Sequence, residues 1–259
     1  MSGGRPGTQR DHAADAGGDR ALLDAKAALR EEVWDAVEEA AAARFPGAHG
    51  RIPNFTGAEA AAERLRATEA WQAAATVKAN PDSPQWPVRQ RALEDGLLLY
   101  MAVPRLAQEH PFFVLDPDRL DVSARKATSI KGASAHGRTV PVGQLEPVDL
   151  VVTGCVAVDR GGARLGKGGG FADLEFALAS AAGLIGETTL IVTTVHPAQV
   201  LDAGRIPTTA HDVPLDLIVT PEEVIRCPHR PARPHGIVWD ELTADKIAAI
   251  PLLERLRHD

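Results

Sequence analysis

The chain has 259 residues, 44% of them hydrophobic, and a formal net charge of −7. That length supports one large core or two small ones. A chain that repels phosphate overall is unsuited to non-specific nucleic-acid binding, so no nucleic-acid partner is expected, although local basic groups can still hold one small anion. The two cysteines, Cys155 and Cys227, lie outside any CxxC pair, which fits a reducing, cytoplasmic compartment. No leader-like apolar run opens the sequence, and its longest apolar stretches, such as residues 97–103, are too short to cross a bilayer. A soluble protein without a membrane partner is expected.

Residues 1–20 are polar, with scattered Gly, Asp and Arg, and read as a mobile, disordered tail; residues 21–259 read as one domain. Leu22, Leu29, Val33 and Val37 recur at helical spacing and predict a helix over 21–44, stopped by Pro46-Gly47. A second helix is predicted at 57–75, then an extended piece at 76–78. Residues 80–87 carry three prolines and read as a loop. A helix at 88–95 ends at Gly96. Strands are predicted at 97–103, 112–115, 150–158, 189–195 and 215–220. Several are continuous apolar runs, as expected where helices cover both faces of a sheet. A helix at 173–182 lies between strands, and a last one at 243–257, kinked at Pro251, wraps the outside. Strands alternating with helices predict an α/β, doubly wound, mostly parallel sheet.

The most informative stretch runs from a buried strand into Arg164-Leu165-Gly166-Lys167-Gly168-Gly169-Gly170-Phe171-Ala172-Asp173. Glycines let a backbone approach a ligand closely and take positive φ. Successive amide N–H groups at a helix start bind anions. Arg164 and Lys167 add full positive charges. Asp173 falls in the first helical turn, where a carboxylate can hold a cation that bridges phosphates. The spacing matches neither the Walker A pattern nor the GxGxxG dinucleotide fingerprint. By chemistry alone the segment is a phosphate cradle or a surface turn with Asp173 as a cap.

At this loop the sequence resembles the 5-formyltetrahydrofolate cyclo-ligase (methenyltetrahydrofolate synthetase) family, whose signature is Arg-Leu-Gly-x-Gly-Gly-Gly-Tyr-Tyr-Asp after a Val-Ala-Phe-Asp-like strand end. Here that end is Val156-Ala157-Val158-Asp159. The resemblance extends to Ile206-Pro-Thr-Thr-Ala-His-Asp212, to Asp216-Leu-Ile-Val-Thr220 and to Lys26-x-x-x-Arg30, and so spans about residues 21–225. Lys78-Ala-Asn-Pro-Asp-Ser-Pro-Gln85, Thr193-Thr-Val-His-Pro-Ala-Gln199 and Thr220-Pro221 resemble a divergent branch, the methenyltetrahydrofolate synthetase domain-containing proteins. That branch's vertebrate members carry an added RNA-recognition module, and no aromatic-rich strand of that type follows residue 225.

The resemblance implies a Rossmann-like three-layer α/β/α sandwich of the sugar-phosphate isomerase and CoA-transferase type. It implies that Lys26, Arg30, Arg164, Leu165, Gly166, Lys167, Gly168, Gly169, Gly170 and Phe171 hold ATP. Arg164 and Lys167 then assist transfer of the γ-phosphoryl group to a formamide oxygen, and Asp173 and Asp212 hold Mg2+. A neighbouring amine attacks the activated carbon, a ring closes, and phosphate leaves. Two departures fall on the folate side. The family's pterin-meeting Glu segment corresponds here to residues 80–85, with Asp82 as the substitute carboxylate, and the second tyrosine of the signature is Ala172. Three readings follow: the folate cyclo-ligase, the same chemistry on another formamide, amide or carboxylate, and a nucleotide-binding regulatory protein without catalysis.

Without the resemblance, Lys26 and Arg30 also read as a solvated helix face, and His211-Asp212 as a turn with a surface histidine. In the metal set, His211 reads as a neighbour, because magnesium prefers oxygen. His196, after an apolar strand, reads as a satisfied loop histidine. Cys227, His229 and His235 match no zinc spacing.

Overall fold

The computed structural model describes residues 9–209, 211–228, 233–234, 236–239 and 242–257, with side chains from residue 20 onward except that of residue 105. Helices α1 (Gln9–Glu39), α2 (Ala58–Arg66) and α3 (Glu69–Gln72) precede strand β1 (Thr76–Ala79). Helix α4 (Trp86–Glu94) leads to β2 (Leu98–Ala102) and β3 (Phe112–Leu115), then α5 (Ala124–Ala127), α6 (Ile130–His136) and β4 (Arg138–Thr139). Next come β5 (Leu150–Val152), β6 (Ala157–Asp159), β7 (Arg164–Leu165) and α7 (Phe171–Ala181). The chain continues through β8 (Leu190–Thr194), β9 (Val200–Leu201), β10 (Leu217–Val219), β11 (Val224–Arg226), α8 (Ala244–Ala248) and α9 (Pro251–Leu256).

Eight strands form one sheet in the order β11-β10-β8-β5-β1-β2-β3-β4. The central junctions, from β10 through β8, β5 and β1 to β2, are parallel, and both edges are antiparallel. The expected α/β sandwich with a mostly parallel sheet is therefore present. Val77, Leu99, Val152, Val192 and Val219 pack on one face against Leu65 of α2, Trp71 of α3 and Val88 and Leu93 of α4. Tyr100, Val151, Ile191 and Ile218 pack on the other face against Leu174 and Leu178 of α7. Leu252 and Leu253 join that second core, so the C-terminal segment is an anchored part of it rather than an outer wrap. Pro251 opens α9 in place of kinking a longer helix.

A smaller sheet, β7-β6-β9, leans on α1. Leu29, Val33, Trp34 and Val37 of α1 meet Val156, Ala157 and Leu165. The helix starts at Gln9, ahead of the sequence-based boundary. Residues 9–20, expected as part of a mobile tail, are helical despite the Gly17-Gly18 pair, which costs about 1 kcal/mol per glycine in helix propensity. Residues 1–8 of the expected tail lie outside the described residues.

Three local differences from the sequence reading have physical causes. The helix expected over 57–75 breaks at Thr68, whose hydroxyl accepts from the Trp71 N–H and restarts it as α3. The strand expected over 150–158 divides between the two sheets, and Gly154 lies in the gap. A Cβ there would come within 2.7 Å of the Asp82 carboxylate and 2.8 Å of Gln85 Oε1. Residues 80–87 are more ordered than a loop. Pro84 enters a 3-10 turn and Pro87 the first turn of α4, positions where a missing N–H costs nothing.

Asp159 fixes the smaller sheet. It is 1% exposed. Its Oδ1 accepts from the N–H groups of Gly161 (2.9 Å) and Ala163 (3.1 Å), and Oδ2 from those of Gly204 (3.0 Å) and Ile206 (3.4 Å). One carboxylate thus closes the β6–β7 hairpin and ties it to the segment after β9. Asp159→Ala leaves these donors without an acceptor and is expected to cost about 3 kcal/mol or more. Urea unfolding of the variant beside wild type measures this, and a loss under about 1 kcal/mol would refute it.

Candidate active site

Strand alternation on β1 sets the first part of the site. Val77 and Ala79 face the helices α2–α4, so Lys78 points to the other face, toward α7. There its Nζ meets Glu175 Oε2 at 2.5 Å, with both side chains under 10% exposed. Asn80 Nδ2 donates to the same oxygen at 2.7 Å. Burial pushes the Glu175 carboxyl up, and Lys78 opposes this. Because the carboxylate fixes which end of the amide faces it, Asn80 Oδ1 is left buried without a partner. A buried pair of this kind adds little net stability, since desolvation offsets its attraction. Its effect is to hold two polar groups in fixed orientation beneath the C-terminal ends of the parallel strands, where ligands bind in such sheets.

Asp82 lies just beyond. Burial raises its carboxyl above the ordinary range, and Lys167, Arg89 and Lys78 oppose the rise. Arg89 is buried and spends its donors on the carbonyls of Asn80 (2.5 Å), Asp82 (2.9 Å), Pro81 (3.3 Å) and Thr128 (3.1 Å). Burial lowers its pKa to about 10. It serves as a backbone clamp that shapes residues 80–82.

The second part is the glycine loop. The β6–β7 hairpin delivers Arg164 into the interior, 5% exposed. Its Nη1 donates to the Gly154 carbonyl at 3.3 Å, and its Nη2 pairs with Asp173 in the first turn of α7. Gly170 caps α7 in the left-handed region, at φ 63°. Arg30 Nε donates to the Gly166 carbonyl at 2.7 Å, and its guanidinium lies beside Gly168. Lys26 pairs with Asp212 at 2.6 Å. Burial would raise the Asp212 carboxyl, but Lys26 and Thr209 outweigh it and hold it below the ordinary range. From the C-terminal segment, Lys246 Nζ donates to the Gly169 carbonyl at 3.0 Å and sits 5.5 Å from the centre of the Phe171 ring.

Two cavities border this loop and share Gly170 and Asp173. The larger, about 520 Å³, brings together Asp82, Arg164, Gly166, Lys167, Gly169, Phe171 and Ala172 from the sequence-derived set. Asn80, Glu175, Arg51 and Ile52 also line it. The smaller, about 130 Å³, is walled by Leu174, Ala177, His211, Ile237, Leu242 and Lys246. Lys26, Arg30, Gly168 and Asp212 line neither. The Leu165 side chain is buried against α1 and reaches neither cavity, so only its backbone can serve a ligand. Sequence reading missed Lys78, Asn80, Glu175, Arg89 and Lys246 as site residues. A lysine inside an apolar strand was the one signal available for the first.

Asp173 and Asp212 both attract Arg164. Among the described residues no group of three or more His, Cys, Asp or Glu side chains is gathered. The two carboxylates are paired with cations instead, Asp173 with Arg164 and Asp212 with Lys26. His196 caps the turn Pro197–Gln199 through Nδ1, as a loop histidine. Burial raises the Cys227 thiol to about 11. His229 and His235 lie outside the described residues. No described helix is long and apolar enough to cross a membrane.

The protein is an α/β fold whose glycine loop lies at the C-terminal side of a mostly parallel sheet, close to the buried cation Arg164. Residues 22–221 match the model of the 5-formyltetrahydrofolate cyclo-ligase family, and the chain belongs to that family. It is 38% identical over 233 residues to the methenyltetrahydrofolate synthase domain-containing protein of Bos taurus, covering 89% of this chain and 61% of that protein. Against the protein of that name from Homo sapiens it is 35% identical over 243 residues, covering 92% and 63%. The chain therefore spans about three-fifths of the curated relatives it matches over most of its length. A shorter match, 39% over 82 residues, covers 31% of this chain and 30% of the Arabidopsis thaliana mitochondrial 5-formyltetrahydrofolate cyclo-ligase. The fold is shared with the NMR structure of Aquifex aeolicus 5,10-methenyltetrahydrofolate synthetase (TM-score 0.51, 20% identity, 83% of this chain and 98% of that one).

Asp82 yields a prediction with a defined sign. Its folded pKa lies above its unfolded one, so its contribution is complete below about pH 4 and is lost as pH rises through the folded value. Asp82→Asn removes that loss. The variant is expected to gain stability relative to wild type between about pH 4 and pH 7. Urea midpoints at both pH values measure the gap, and a gap that stays constant or shrinks contradicts the assignment.

Proposed function

We propose that the chain is an ATP- and magnesium-dependent ligase of cyclo-ligase chemistry. The observation that supports this most directly is the glycine loop. In a chain of net charge −7, Arg30, Arg164, Lys167 and Lys246 converge on that one segment. In the family's reaction the formamide oxygen of 5-formyltetrahydrofolate attacks the γ-phosphorus and ADP leaves. The neighbouring exocyclic amine then attacks the activated carbon, closing the ring, and loss of phosphate gives 5,10-methenyltetrahydrofolate.

In this reading Lys167 neutralises charge that moves onto the transferred phosphoryl oxygens. Arg164, fixed between Gly154 and Asp173, keeps the loop and the strand ends in register. Asp173 and Asp212 would hold magnesium, which supplies charge neutralisation on the phosphates. Lys26 and Arg30 orient the polyphosphate from α1. The larger cavity takes the substrate.

A second reading, favoured by one specific observation, keeps the ATP chemistry and changes the substrate. The cavity wall at residues 80–82 carries an amide oxygen without a partner and a carboxyl pushed toward neutrality, and Ala172 adds no ring. A substrate with N–H or O–H donors at that end suits such a wall. A pterin's amino and ring N–H edge is itself a donor set of that kind, so the departure that favours another substrate is Ala172, which leaves the pocket without the ring of the family signature.

Mixing the protein with Mg-ATP and 5-formyltetrahydrofolate, and following absorbance of the methenyl product, tests both readings. ATP is expected to bind and folate turnover to be slow. Rapid, saturable product formation at micromolar substrate would defeat the second reading, and failure to bind ATP in a separate calorimetric titration would remove both. Lys167→Ala is expected to cut ADP production by about 10²–10³-fold in a protein that stays folded.

A further inference from the structure

Two carbonyls of the glycine loop are each held by a cation from outside it. Arg30 of α1 holds Gly166 at 2.7 Å, and Lys246 of α8 holds Gly169 at 3.0 Å. The family-matched segment ends at residue 221, so Arg30 lies within it and Lys246 beyond it. We propose that Lys246 is a further phosphate-binding residue of the nucleotide site, supplied by the C-terminal segment; this rests on the ATP reading above.

The geometry around Lys246 carries the inference. Its ammonium has three N–H donors. One goes to Gly169, a ring face lies near, and among the described residues Lys246 forms no ion pair. Two donors are thus left for a phosphate oxygen. Gly170 leaves the room this needs, since a Cβ there would come within 2.8 Å of Lys246 Nζ. The ammonium also lines the smaller cavity, together with Gly170 and Asp173. Its carrier is fixed in place. Thr243 caps α8, while Ile247, Ile250, Leu252 and Leu253 are buried in the main core. A lysine whose stem is anchored this close to the loop can exchange a carbonyl for a phosphate by side-chain rotation alone.

The test compares ligands that differ only in phosphates. Calorimetric titrations with ATP, with AMP and with inorganic triphosphate, all in millimolar magnesium, are run on the 259-residue wild-type chain, Lys246→Gln and Lys246→Arg. Lys246→Gln is expected to weaken ATP and triphosphate by about tenfold or more, as loss of a charged hydrogen bond does. AMP binding is expected to change less than threefold, and Lys246→Arg to restore most of the ATP affinity. Equal ATP affinity in Lys246→Gln and wild type overturns the inference and leaves the proposed function standing. Equal losses for AMP and ATP also overturn it, because Lys246 would then only shape the cavity. Absence of ATP binding by wild type removes both.

Discussion

The Arg164 guanidinium is the constraint on which the site depends. It is buried, and burial alone would make its charge costly. It persists because Asp173 pairs with it and the Gly154 carbonyl accepts from it. Those two contacts join three pieces of chain that share no secondary structure: the turn leaving β5, the β6–β7 hairpin and the first turn of α7. With them fixed, the glycines between Arg164 and Asp173 have only a short path to follow. The loop is therefore a span held at both ends, and its backbone N–H groups have defined directions before any ligand arrives. Such preorganisation is what makes hydrogen-bond donors effective toward developing charge.

The arrangement also explains why polar groups crowd an otherwise apolar interior. Lys78, Asn80 and Glu175 sit where strand ends meet α7, Arg89 clamps the backbone beside Asp82, and nearly all polar atoms of those four side chains are partnered. The exception, Asn80 Oδ1, borders the larger cavity. A fold selected for stability alone would fill such a place with apolar side chains of similar volume. Gln85 Oε1, beside Gly154, is a second buried acceptor without a partner, and such groups cost stability. The raised Asp82 carboxyl belongs to the same pattern.

Fold and chemistry divide cleanly between the two faces of the loop. On one side, α1 and the C-terminal segment bring cations from the two ends of the chain. On the other, residues 80–82 and Ala172 present a wall of different character. Loops at strand ends can change what they recognise while the sheet beneath them stays the same.

The sequence by itself determined the parallel sheet, through apolar runs at 150–152, 190–192 and 217–219, and the turn into α7, through Gly168 and Gly170, whose positive φ other residues resist. It also determined the face of α1, because Leu29, Val33 and Val37 mark the buried stripe that Lys26 and Arg30 extend. These are local signals, set by periodicity and by backbone freedom. Only tertiary structure decided where the strand expected over 150–158 leaves the large sheet, at a glycine packed under Asp82 and Gln85 of a different segment. It alone paired Lys78 with Glu175, 97 positions apart, and brought Lys246 to Gly169 across 77. A charge in a sequence shows that a partner is needed. Which partner it meets depends on how sheets and helices stack, and no local pattern carries that information.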